Sequence, residues 1–117
     1  MLCNFKIVNF DEGHMNFSSL QGYINQNYFN LVDVFGEPTY IDVNGDGKVY
    51  NEWTLRFEVQ EDGEEDTDTV YATIYDWKEA DGDVARSATT YHWHIGGNSM
   101  DAVEVVTQAI KDHVGSV

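Results

Sequence analysis

Residues 51–77 read NEWTLRFEVQEDGEEDTDTVYATIYDW and contain two alternating segments separated by an acidic loop. In the first segment, residues 51–59, large apolar side chains occupy every second position from Trp53 to Val59. In the second, residues 69–77, apolar residues alternate with tyrosine, threonine and tryptophan. Because successive side chains of a strand point to opposite faces, both segments predict half-buried strands that pair antiparallel across the loop.

The flanking sequence supplies further strands. Residues 88–95 alternate in the same way and are followed by two glycines, and residues 2–10 also predict a strand. Residues 18–24 fit either a strand or the first turn of a helix. The polar stretches at 11–17 and 78–87 are predicted to be loops.

Two segments have helical periodicity. Residues 26–35 place apolar side chains three and four positions apart. Asn25 or Asn27 can cap the start of this helix, and Gly36 suits its end. A second helix is predicted over 100–114. Its apolar stripe comprises Val103, Val106, Ile110 and Val114, with Met100 and Ala109 beside it.

The expected fold is α+β, a single domain over residues 1–117. It consists of one twisted antiparallel sheet of about four to five strands, with helices packed on one face. The buried face of the sheet is predicted to comprise Leu55, Phe57, Val70, Ala72, Ile74, Trp93 and Ile95.

Net charge narrows the class of partner. The 117 residues include 21 acidic and 6 basic ones, for a formal charge of −15, yet 42% are apolar, as in a folded domain. A field of this sign argues against direct binding to nucleic acid or to anionic membranes, and it favours a basic protein partner. Cys3 is the single cysteine and no signal peptide is evident, which predicts a cytoplasmic protein.

The face opposite the predicted core is the candidate binding surface. It would present Arg56, Tyr71, Thr73, Tyr75, Trp77, His92 and His94. Aromatic residues and arginine are enriched at protein interfaces, although helices or a second subunit could equally cover this face. Acidic loops at 58–68 and 76–83 flank it, with eleven acidic residues to one basic residue, Lys78. The acidic residues predicted to produce the negative field around this face are Glu61, Asp62, Glu64, Glu65, Asp66, Asp68, Glu79, Asp81 and Asp83.

A calcium-loop pattern occurs at residues 42–49. Asp42, Asn44 and Asp46 occupy the first, third and fifth positions, and a glycine follows. The twelfth position, where calcium loops carry a bidentate carboxylate, holds Trp53. We therefore predict no calcium binding at physiological levels, and a tight turn between two strands is the alternative.

No arrangement for catalysis or for a cofactor emerges. His92 and His94 are two apart on a strand and share a face, but two ligands do not make a zinc site. The single cysteine has no recognisable base, and no serine lies in a nucleophile motif. The prediction is a non-enzymatic protein without a metal or cofactor.

Four segments resemble a recurrent pattern in small acidic proteins encoded by bacteriophages. They are LVDVFGEPT at 31–39, EWTLRF at 52–57, ATIYDWK at 72–78 and HWHIGG at 92–97. Phage proteins of this size and charge include inhibitors of host defence, among them anti-CRISPR proteins and DNA mimics. The resemblance implies an inhibitor that acts in the host cytoplasm.

A second likeness concerns residues 31–77. A helix that ends in FGEP and leads into tryptophan-containing strands is similar to the repeat of the β-lactamase inhibitor protein and outer-membrane assembly lipoprotein families. In those families the aromatic face of the sheet binds protein, so this likeness implies the same use here.

The leading functional hypothesis is an inhibitor that blocks the basic cleft of a host nucleic-acid-binding protein. The alternatives are a calcium- or small-ligand-binding accessory protein and a phage accessory protein with no inhibitory role. The chain is expected to be a monomer or a homodimer.

Overall fold

The computed structural model describes residues 2–7, 19–41, 49–60, 63, 65–79 and 82–115. Their elements, in chain order, are β1 (Leu2–Ile7), β2 (Ser19–Gln26), α1 (Tyr28–Phe35), β3 (Tyr40–Ile41), β4 (Asn51–Gln60), β5 (Asp68–Tyr75), α2 (Gly82–Ser87), β6 (Tyr91–Gly97) and α3 (Asp101–Gly115).

The strands form one antiparallel sheet in the order β1-β4-β5-β6-β2. β5 pairs with one edge of β4. The short β3 and the longer β1 therefore share the other edge, where β3 pairs with the start of β4 and β1 with the rest. The three central strands are neighbours, as predicted, and the path of five long strands confirms the α+β antiparallel architecture.

All three helices pack on one face of the sheet. Trp53, Ile74 and Ile95 lie directly opposite one another across β4, β5 and β6, and all three side chains are buried. Trp93 is fully buried while His92 is exposed, which confirms the predicted alternation of β6. The helices complete this core with Leu31, Phe35, Ala85, Ala102, Val105, Val106, Ala109 and Ile110.

The first helix begins two residues later than predicted. Gln26 is still in β2, where it pairs with Tyr91 of β6. Asn27 then caps the helix, since its side chain accepts a hydrogen bond of 2.7 Å from the backbone N–H of Asn30. The helix ends at Gly36, whose φ of 84° is a backbone conformation that residues other than glycine rarely adopt.

Two segments differ from the sequence prediction. Residues 78–87 are not a loop throughout, because Gly82–Ser87 form α2, which buries Ala85. Within the segment 18–24, which fitted two structures, residues 19–24 belong to β2 and lie at the edge of the sheet beside β6. Neither result follows from local periodicity, since each depends on contact with a distant element.

The buried stripe of α3 is rotated from the predicted one. Met100 is 77% exposed, and the buried stripe consists of Ala102, Val105, Val106, Ala109 and Ile110. A Cβ built on Gly97 would lie 2.7 Å from the Cβ of Ala102, so the helix approaches the sheet where no side chain intervenes. In the same way, a Cβ built on Gly22 would lie 2.8 Å from Cγ2 of the half-buried Val103, so a glycine at this position lets the helix pack closely. The side chain of Val114 lies outside the described residues.

Candidate protein-binding site

Five aromatic rings form a continuous surface on the open face of the sheet, opposite the helices. We call Tyr23, Tyr75, Trp77, His92 and His94 the ring cluster. The Tyr23 ring centroid lies 4.5 Å from that of His92 and 5.0 Å from that of His94. Tyr75 stacks on His94 at 5.4 Å, and Trp77 is 6.2 Å from each of these two rings.

Strand pairing brings the ring cluster together. Tyr23 on β2, His94 on β6 and Tyr75 on β5 are direct neighbours across the sheet. His92 lies two positions from His94 on the same face, and Trp77 follows the end of β5. Tyr23 is 46% exposed and Trp77 38% exposed, so large aromatic area meets solvent. Such area in one patch is typical of a protein-binding surface.

The centre of the ring cluster is uncharged near neutral pH. Burial lowers the pKa of His94, and the neighbouring His92 lowers it further, while Asp76 and Glu79 oppose the shift. The Nδ1 atom of His94 is buried and has no hydrogen-bond partner in the described part of the chain. A neutral imidazole between two tyrosines adds stacking area without adding charge.

A depression of about 270 Å³ adjoins the ring cluster. We call it the Glu52 depression. Its lining consists of Ser19, Leu20, Val49, Glu52, Thr73, Tyr75, Trp77 and Gly96. A Cβ built on Gly96 would lie 2.6 Å from Oγ1 of Thr73, so a larger residue at this position would displace the lining.

Glu52 places a carboxyl group in this depression. It lies directly opposite Tyr75 across β4 and β5. Burial raises its pKa from 4.5 to about 7, and repulsion from Asp76 adds to the shift. Within the described ranges, no hydrogen-bond donor or basic side chain pairs with the Glu52 carboxylate. The depression therefore holds a carboxyl group that changes charge close to neutral pH.

The neighbouring acid, Asp76, is fully buried. Its Oδ1 accepts hydrogen bonds from the backbone N–H groups of Tyr50 at 2.7 Å and Asn51 at 3.0 Å. Its Oδ2 accepts one from Nδ2 of Asn51 at 2.9 Å. Asp76 was counted with the acidic loop 76–83, and the structure corrects this interpretation. It joins the start of β4 to the chain just before Trp77, which positions the ring cluster.

Three of the acids predicted to flank the site lie far from it. Glu65, Asp66 and Asp68 are exposed at the opposite end of β5 from Tyr75. At about 3.4 Å per residue, Asp68 and Tyr75 are separated by roughly 24 Å. These three acids therefore do not form a rim around the ring cluster.

Two other predicted acids contact polar side chains of the same domain. Glu79 accepts a hydrogen bond of 2.5 Å from the hydroxyl of Tyr91, and Asp83 pairs with Arg86 at 2.7 Å. Both carboxylates thus already contact a donor within the chain. The four remaining predicted acids, Glu61, Asp62, Glu64 and Asp81, lie outside the described residues.

Arg56 and Tyr71 form a separate pair in the middle of the open face. They lie directly opposite each other on β4 and β5. The Nε atom of Arg56 is 3.5 Å from Oε1 of Glu58. Tyr71 is four residues from Tyr75, or roughly 14 Å along the strand. The predicted contact residues are thus divided between this pair and the ring cluster.

Comparison with known proteins does not assign the chain to a family. No family model, curated protein or solved structure matches the chain. The resemblances stated from the sequence therefore stay expectations, and the site is defined by its own geometry.

The described ranges contain neither a cluster of metal-ligating side chains nor a helix that could cross a membrane. There, no three His, Cys, Asp or Glu side chains gather closely enough to hold a metal ion. The calcium-loop residues Asp42, Asn44 and Asp46 lie outside those ranges. None of the helices in the described part of the chain combines the length and the apolar character needed to cross a bilayer.

Tyr23, Glu52 and Gly96 are among the residues of this site that the sequence did not reveal. Tyr23 was missed because its segment fitted a strand or a helix, and only a strand places it beside the two histidines. Glu52 lies one position before the twelfth position of the calcium-loop pattern, and alternation alone gave it no role on the sheet. Gly96 was interpreted as the end of a strand. Alternation of Gly22 and Ile24 with polar neighbours was the one signal that could have assigned Tyr23 to the open face.

Charge repulsion gives a prediction about stability. Ion pairs such as Arg56 with Glu58 and Arg86 with Asp83 leave most of the acidic excess uncompensated, since the chain has a formal charge of −15. Because salt screens repulsion among surface charges, the melting temperature should rise between about 20 and 300 mM sodium chloride. Differential scanning fluorimetry at neutral pH measures this, and a melting temperature independent of salt would contradict it.

Proposed function

We propose that this chain is a non-enzymatic binding protein that occupies the basic cleft of a nucleic-acid-binding protein. A phage-encoded inhibitor of host defence, such as an anti-CRISPR protein or a DNA mimic, would act in this way. The observation that supports the proposal is the exposed ring cluster on a domain with a formal charge of −15.

Charge complementarity favours a basic partner. A cleft that holds a polyanion attracts a compact, acidic domain, and the attraction accelerates association at low salt. A second copy of this chain fits less well, because two domains that each carry −15 repel each other. The aromatic rings supply the contacts that distinguish one basic protein from another, which charge alone does not do.

The separation of acids and rings implies two roles in binding. Glu65, Asp66 and Asp68 are exposed at one end of β5, and Tyr75 and Trp77 lie at the other. Exposed acids far from the contact act mainly by steering the encounter. Rings that become buried against the partner act mainly by slowing dissociation.

Variants of the two groups should therefore affect different rate constants. Trp77→Ala or Tyr75→Ala should raise the dissociation rate and weaken binding by about 2 kcal/mol or more. Neutralising Glu65, Asp66 and Asp68 to glutamine or asparagine should mainly lower the association rate, and the loss should vanish at high salt. Surface plasmon resonance at two salt concentrations separates the effects.

A charge-matched control lies on the opposite side of the domain. Asp101, Glu104 and Asp112 are exposed on α3, which covers the other face of the sheet. Neutralising these three acids changes the net charge by the same amount. An equal loss of association rate in this control would show that only total charge matters.

Competition with nucleic acid tests the proposal. Proteins from a nuclease-treated lysate of the native host are first enriched on heparin, then passed over the immobilised chain and over a Tyr75→Ser/Trp77→Ser bait. Each protein retained by the wild-type bait alone is loaded with a labelled DNA or RNA oligonucleotide and titrated with the chain. Displacement of the oligonucleotide supports the proposal. Simultaneous binding, or equal retention by both baits, overturns it.

A further inference from the structure

We infer that the Glu52 depression receives a cationic side chain of the partner, the ammonium of a lysine or the guanidinium of an arginine. Its charge would lie against the Glu52 carboxylate and its aliphatic stem against Tyr75 and Trp77. This inference rests on the proposed function and specifies the chemistry that the site recognises.

The lining supplies the two kinds of contact that a cationic side chain needs. Tyr75 and Trp77 present rings whose centroids are 6.2 Å apart with their planes at 72°, so they form two walls that meet at an angle. Aromatic faces attract ammonium and guanidinium groups through their quadrupoles. Gly96 has no side chain, so Oγ1 of Thr73 and the edge of the Tyr75 ring lie close against its Cα in the lining of the depression.

The charges around the depression select a cation. Glu52 lines it without an ionic partner in the described ranges, and the buried Asp76 lies close enough to perturb the Glu52 carboxyl electrostatically. The ammonium of Lys78 lies over the Trp77 ring instead, with Nζ 5.7 Å from the ring centroid. An incoming cation would relieve the repulsion between the two carboxylates, whereas an anion would increase it.

Binding should be coupled to deprotonation of Glu52. The charged and titratable groups that face it or its walls are Asp76, Glu79, Tyr23, Tyr75, Tyr91, Lys78 and His94. Burial lowers the pKa of His94 and raises those of Tyr75 and Tyr91, whereas the pKa of Glu52 is about 7. With a pKa of about 7, the carboxyl is mainly neutral in mildly acidic solution and mainly ionised in mildly basic solution. Affinity for a cation should therefore increase with pH, and the complex should form with release of a proton.

The test uses small probes, so it needs no identified partner. N-acetyl-arginine amide and N-acetyl-lysine amide are titrated into the ¹⁵N-labelled chain, with N-acetyl-citrulline amide as an uncharged mimic of arginine. We expect saturable shifts at Gly96, Tyr75 and the Trp77 indole with at least one cationic probe. The citrulline probe should bind at least about tenfold more weakly. The cationic probe should bind up to about tenfold more weakly at about pH 6 than at about pH 8, because the ionised fraction of Glu52 changes by about that factor.

Two matched variants locate the binding. Glu52→Gln should weaken binding of the cationic probe at least about tenfold at pH 8 and abolish the pH dependence of that binding. Glu58→Gln removes the same charge from the same strand and face, but six residues away, and should leave binding unchanged. Removal of a half-buried charge should leave the Glu52→Gln variant folded, which its amide spectrum verifies.

Each result either supports or overturns the inference. Equal binding of citrulline, undiminished binding by Glu52→Gln, or no saturable shift with millimolar cation would overturn it. The outcome is separate from that of the proposed function. A chain that displaces nucleic acid but binds no cationic probe loses this inference alone, and a chain that binds the probe but displaces no nucleic acid loses the proposed function.

Discussion

Replacing Asp76 with alanine is expected to destabilise the fold by about 3–5 kcal/mol. The carboxylate is fully buried and accepts three hydrogen bonds, from the backbone N–H groups of Tyr50 and Asn51 and from Nδ2 of Asn51. Alanine removes both acceptor oxygens and leaves the three donors buried, and each such donor costs about 1–3 kcal/mol. Urea unfolding followed by tryptophan fluorescence measures the loss.

A matched acid provides the control for this variant. Asp83 lies seven residues further along the chain, and its side chain is 83% exposed although it pairs with Arg86. Asp83→Ala removes the same charge and should change stability by about 1 kcal/mol or less. If both variants lost the same free energy, the hydrogen bonds of Asp76 would contribute nothing beyond the effect of charge.

Glu52→Gln is expected to stabilise the protein by about 3 kcal/mol above pH 8. Burial and Asp76 raise the pKa of Glu52 from 4.5 to about 7 in the folded protein, so the unfolded chain releases this proton at lower pH. The stability that Glu52 contributes to the wild type is therefore fully present below pH 4.5 and is lost as the pH rises through about 7. A tenfold difference in proton affinity between the two states corresponds to about 1.4 kcal/mol, which gives the expected magnitude.

The measurement compares unfolding free energies of wild type and variant from about pH 5 to 8.5. Taking the difference cancels the titration of the other acids, which both proteins share. The difference should grow with pH and level off once Glu52 is fully ionised, whereas Glu58→Gln should give a flat difference. A difference for Glu52→Gln that stays constant with pH would show that its carboxyl is not perturbed. The unfavourable charge is also the one that a bound cation would stabilise.

Much of the fold could be predicted because its pattern is local. Alternation in residues 51–59 and 69–77 assigned Leu55, Phe57 and Ile74 to the core before any pairing was known. A period of two leaves only the choice of which face is buried, and the larger apolar side chains decide it. The cap at Asn27 and the end at Gly36 are local for the same reason.

The candidate site could be predicted only in part. Tyr75, Trp77, His92 and His94 were assigned to the open face because they alternate with core residues on their own strands. The contacts of His92 and His94 with Tyr23 required β2 to pair with β6, a pairing between segments about 70 residues apart in the chain. Long-range pairing depends on competition among all strand edges, and no single segment encodes its outcome.

The α+β class, the buried face of the central strands and the strongly acidic character of the chain follow from local alternation and composition. The roles of individual acids follow instead from contacts that the folded chain makes. Asp76 and Glu79 are both acids in the same predicted loop. Asp76 is buried and its carboxylate accepts three hydrogen bonds, whereas Glu79 lies nearer the surface and accepts one hydrogen bond from Tyr91. Whether a carboxylate can be buried depends on donors that the fold brings to it, and for Asp76 these come from residues 25 and 26 positions earlier.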